Sequence, residues 1–68
     1  MKIQYFSETD TLAIELTNKP VVSTDPITDD LIVDYDDEGK VVAITIDNCS
    51  KNVDSLNLQP LNLPVLSL

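Results

Sequence analysis

Residues 31–46 read LIVDYDDEGKVVAITI, and the fold turns on how they are taken. Asp34, Asp36, Glu38 and Gly39 match positions 1, 3, 5 and 6 of an EF-hand calcium loop, with Val41 at the apolar position 8. Position 12 of such a loop is a bidentate Glu, and Thr45 stands there instead. The flanks also disagree with an EF-hand. Leu31, Val33 and Tyr35 alternate on one side of the acidic stretch, and Val42, Ile44 and Ile46 on the other, which is the period of half-buried strands rather than helices. A three-residue hairpin loop satisfies all of this, with a type I turn followed by a left-handed residue at Gly39, the only glycine in the chain. Residues 31–46 are therefore expected to form a hairpin with an acidic tip. Asp34, Asp36 and Glu38 are its only metal candidates, for loose binding of a hard cation.

The same pattern occurs thirty residues earlier. Ile3 and Tyr5 share one strand face, and so do Leu12, Ile14 and Leu16. A shift of thirty brings Tyr5 onto Tyr35, Glu8 onto Glu38, Ala13 onto Ala43 and Ile14 onto Ile44. Two similar hairpins follow, whether from a true repeat or from two amphipathic hairpins of equal loop length. Thr9 occupies the place of Gly39, and a β-branched residue avoids positive φ, so the first turn is expected to differ in detail. Between the hairpins, residues 20–24 form a candidate fifth strand with Pro20 at its start, where no ladder N–H is missed. Asp25-Pro26 is then expected to turn the chain. Residues 49–56 form a candidate short helix capped by Asn48 or Ser50. The expected class is mainly β, with a small α+β domain as the variant: a five-stranded antiparallel sheet, a C-terminal helical turn and an extended Leu/Pro tail.

One sheet face would carry Ile3, Tyr5, Leu12, Ile14, Leu16, Val33, Tyr35, Val42, Ile44 and Ile46, and it needs a cover. Each large side chain fully buried there contributes about 1.5–3 kcal/mol. No long helix is in sight. The expected division is a hairpin-repeat domain over residues 1–52 and an apolar tail over 53–68 that packs on the sheet or on a partner. Pro60 and Pro64 prevent a continuous helix in that tail. Leu58, Leu61, Leu63 and Leu66 are its candidate interface residues, and a homodimer is the other way to cover the face.

Composition excludes much chemistry. The chain has 68 residues, four Lys or Arg against twelve Asp or Glu, and no His. All four cations are Lys. Nucleic acid is not an expected partner, because affinity for it comes mainly from cations neutralising phosphates. Without His there is no Ser-His or Cys-His nucleophile and no common zinc catalytic set. A single cysteine, Cys49, allows no disulfide within the chain and suits a reducing compartment. Its reading is a small core residue, with Lys51 the one nearby cation to activate a thiol. Tyr5 and Tyr35 are read as inward-facing, with their hydroxyls at the rim. The opening MKIQYFSETD has no continuous apolar core, and the longest aliphatic run is only residues 41–44, so neither an export segment nor a membrane helix is expected. The expectation is a cytoplasmic protein without cofactor.

The order of pieces resembles an uncharacterised, mainly prokaryotic family of short proteins, domain of unknown function 2283. The matching stretches are MKIQY at residues 1–5, DTLAIEL at 10–16 and DYDDEGKVVAITI at 34–46, with Cys49-Ser50-Lys51 where such proteins tend to read Ala-Ser-Lys. Phe6 stands where Asp is usual, Ala13 where Tyr is common and Ala43 where Gly is common. The tail lies outside the resemblance. It implies a small β-rich domain and no reaction. Two functions stay open: a non-enzymatic interaction or oligomerisation module, or a small metal-binding or hydrolase-like protein using the Asp34/Asp36 cluster. The first is favoured, and no catalytic residue is assigned.

Overall fold

The structure, a computed structural model, describes residues 1–54. They form one antiparallel sheet of five strands: β1 (Lys2–Phe6), β2 (Thr11–Glu15), β3 (Ser23–Pro26), β4 (Leu31–Tyr35) and β5 (Val41–Ile46). A four-residue helix, α1 (Cys49–Asn52), follows. The spatial order is β1-β2-β5-β4-β3, so the two hairpins sit side by side with β2 and β5 in contact. The mainly-β class, the five strands and the short helical turn are as the sequence indicates. The 53–68 tail and its leucines lie outside the described residues from position 55 onward.

The offset of thirty is a structural repeat in register. Ile3 pairs with Ile14 and Val33 with Ile44; Gln4 pairs with Ala13 and Asp34 with Ala43. Only at the far end does the match slip. Tyr5 pairs with Leu12, but Tyr35 pairs with Val41, because the β4–β5 pair carries a register shift at Asp34/Tyr35. The bulge leaves Val42 without a β4 partner, while on the β2 side its carbonyl accepts from the Leu16 amide, 2.8 Å away. Where the hairpins meet, Ile14 pairs with Ile44 and Leu12 with Ile46.

These registers put Ile3, Tyr5, Leu12, Ile14, Leu31, Val33, Ile44 and Ile46 on one face. Leu12 (5% exposed), Val42 (3%) and Cys49 (1%) are the fully buried apolar residues. Ile3, Ile14, Leu31, Val33, Ile44 and Ile46 are half-buried. The core is thin, as the surface-to-volume ratio of so small a domain requires.

The fifth strand departs from expectation. It is Ser23–Pro26 rather than 20–24, and the Asp25-Pro26 pair lies inside it, opposite Val33 and Ile32. The turn falls later because the Thr28 hydroxyl accepts from the amides of Asp30 and Leu31, at 3.1 and 2.9 Å. Pro26 is tolerated because β3 is an edge strand. The helix is also shorter than the expected 49–56: Val53 is already extended, and its amide closes α1 on the Cys49 carbonyl at 2.9 Å.

Candidate functional site

The acidic tip is built as a hairpin loop. The Asp36 amide donates to the Lys40 carbonyl at 2.8 Å, and the Gly39 amide to the Asp36 carbonyl at 3.1 Å. Gly39 has φ of 77°, the left-handed residue such a loop requires. Asp36 Oδ1 accepts from the amides of Glu38 and Lys40, both at 2.9 Å, and the Lys19 ammonium lies 3.7 Å from Oδ2. Although Asp36 is only 5% exposed, its charge is met on all sides. The Lys40 amide, then that of Glu38, holds its pKa below the ordinary carboxylate value against the opposing effect of burial.

The three metal candidates do not converge. Asp34 accepts from the Thr24 hydroxyl at 2.7 Å, and Glu38 lies 3.7 Å from the Lys40 ammonium. Asp36 is turned into its own loop. Among the described residues no three acidic or thiol side chains are grouped to hold a metal ion.

A second acidic pair is brought together only by the fold. Asp10 and Asp30 stand immediately before β2 and β4, the strands that flank β5, and both reach the chain that leaves β5. Asp10 accepts from the Ser50 hydroxyl (2.6 Å), the Ser50 amide (3.0 Å) and the Tyr5 hydroxyl (2.6 Å). Asp30 accepts from the side-chain amides of Asn48 (2.8 Å) and Asn52 (3.1 Å). Their carbonyls do the same work: Asp10 accepts from the Cys49 amide and Asp30 from the Asp47 amide, at 2.8 and 2.7 Å. The two aspartates thus clasp α1 from either side and seat Cys49 in the core. The bond from Ser50 is the main cause of the lowered pKa of Asp10, followed by that from Tyr5; for Asp30 the causes are Asn48, then Asn52. The same bond to Asp10 raises the pKa of Tyr5.

Backbone geometry explains why aspartate and asparagine occupy this region. Asp10 and Asn48 have φ of 55° and 49°, a region that Asp and Asn enter more readily than other non-glycine residues. The left-handed residue of the first turn is therefore Asp10, not Thr9. Asn48 precedes α1 but makes no side-chain cap, its amide being committed to Asp30. The legible signal was an Asp directly ahead of each strand, matched by an Asn/Ser run after the last strand.

The two sheet edges differ. The outer side of β4 is occupied by β3, whereas β1, its repeat counterpart, has no neighbouring strand on its outer side among the described residues. The β3 edge carries Asp25 and Pro26, both of which discourage pairing. The β1 edge, KIQYF, has one Lys and no carboxylate. Met1, Tyr5 and Phe6 are exposed on or beside it.

A single antiparallel sheet of five strands, closed by an acidic clasp, defines a small β domain. The family model described as Protein of unknown function (DUF2283) matches residues 2–50, and the chain belongs to that family. The match spans all five strands and the start of α1. Neither a curated protein nor a solved structure gives a match to the chain. No helix of the described residues is long and apolar enough to cross a membrane.

Proposed function

We propose that this protein is a small non-enzymatic interaction and oligomerisation module that works by adding a strand at β1. One observation carries the reading: the repeat gives β1 and β4 equivalent places, β4 receives β3 on its outer side, and the described residues leave the matching place beside β1 open. An edge of unpaired N–H and C=O groups is a template for another strand. Exposed Phe6 and Tyr5 add apolar area, and the absence of carboxylates from β1 keeps the nearest negative charges off the strand itself.

The apolar face supports a companion assignment. Its half-buried isoleucines call for a cover, and residues 55–68, which contain six leucines and no charged residue, are the segment assigned to it. We read the compartment as cytoplasmic, the support being a buried thiol and no second cysteine.

Amide hydrogen exchange of the full chain, from micromolar to millimolar concentration, tests the β1 reading. Expected is concentration-dependent protection of β1 amides, with those of β3 unchanged. A chain that shows no association and unprotected β1 amides at the highest concentration overturns it.

A further inference from the structure

The strand-addition reading says where a partner binds, and β1 itself indicates which partner. The strand has five residues with Gln4 at the centre. If a second β1 lies antiparallel beside it with a two-fold axis at Gln4, every residue finds a partner. Ile3 faces Tyr5 of the other copy, extending the apolar face across the junction as an aromatic/β-branched pair. Lys2 faces Phe6 on the opposite face, where an ammonium and an exposed ring attract. Gln4 faces Gln4, a neutral pair at the axis.

Charge narrows the choice further. The chain carries a net charge of −8, so most surfaces of two copies repel. β1 and the central β5 are the two strands without a carboxylate, and only β1 is at an edge. We propose that the partner at the β1 edge is a second copy of this chain, joined as a two-fold dimer whose axis passes through the Gln4 pair and whose two sheets become one ten-stranded sheet. Closed two-fold pairing of this kind leaves the β3 edges outermost, where Asp25 and Pro26 stop further growth.

This inference rests on strand addition at β1, and charge reversal at the axis separates the two. Gln4 is exposed, so Gln4→Glu and Gln4→Lys leave the fold in place, which circular dichroism checks. Light scattering on each variant is expected to show a shift towards monomer mass, with the dimer dissociation constant raised several-fold, because like charges stand directly opposite. An equimolar mixture of the two is expected to regain dimer mass. Variants that keep the wild-type mass, or a mixture that stays monomeric, overturn the two-fold register while β1 protection in the wild type leaves strand addition standing. A monomeric wild type with β1 amides protected at every concentration overturns the second copy and identifies residues 55–68 as the strand beside β1.

Discussion

Ile14 and Ile44, thirty residues apart, face each other across the β2–β5 pair. Each is the repeat equivalent of the other, so a pseudo-two-fold axis runs through this pair and relates the two hairpins. The centre of the sheet is thus already a self-pairing of one hairpin with its own copy within a single chain. Ile14→Ala and Ile44→Ala should each destabilise by about 2 kcal/mol, the low end for such truncations because both residues are half-buried. The double variant should depart from additivity, as residues in contact do. Urea unfolding of the two singles and the double checks both points.

Asp36 holds the acidic tip together through acceptor geometry first and charge second. Asp36→Asn keeps an oxygen for the Glu38 and Lys40 amides and loses the attraction of Lys19. Asp36→Ala loses both and leaves two amides short of a partner. The melting temperature should fall for both variants, and by at least twice as much for Ala as for Asn.

Acid should unfold the protein through the same carboxylates. The pKa values of Asp10, Asp30 and Asp36 all lie below the ordinary carboxylate value of 3.8 in the folded chain. A depressed folded pKa means that the unfolded chain takes up protons first, so the stabilisation is complete well above pH 3.8 and is lost as pH falls through the lower folded values. Asp10→Asn removes one of these proton-linked groups, so the variant should be less stable at neutral pH and show a shallower loss of stability below pH 4. Chemical unfolding across that range measures the slope.

The proposal that the C-terminal tail covers the apolar face has a direct test by truncation. A chain ending at Asp54 should melt lower than the full chain and bind more of a dye that reports exposed apolar surface. An unchanged melting temperature and dye response would remove the assignment.

Association at β1 should strengthen with salt. Two chains of net charge −8 repel over distances of about 10 Å at 0.1 M ionic strength, and screening weakens that repulsion. Sedimentation at low and high salt should show a tighter dimer at high salt, the reverse of an association built on opposite charges.

The hairpins were legible because period-two alternation, the spacing of thirty and the single glycine all pointed to one answer. Gly39 fits its loop as the sequence indicates because only one residue type there tolerates positive φ freely. The place of β3 is not legible from Pro20 and Asp25-Pro26, because Thr28 sets the turn through its hydroxyl. The clasp was illegible for a related reason. Asp10 and Ser50 are forty residues apart in the chain and meet only because β2 and β5 pair, so no local pattern announces them. Asp34, Asp36 and Glu38 looked like a cluster in sequence, yet each has a different partner in space.

The placement of the hairpins also orders the folding of the chain. The pairings within each hairpin are local, the widest joining Lys2 to Glu15 and Leu31 to Ile46, and closures of this kind take microseconds. Joining β2 to β5 spans a loop of about thirty residues and carries the larger entropic barrier. Until that seam forms, Asp10 and Asp30 cannot both hold α1, and Cys49 has no core to enter. Docking of one preformed hairpin onto the other is therefore the slow event, and amide protection at Ser50 should appear together with protection at the β2–β5 seam, after both hairpins have acquired theirs.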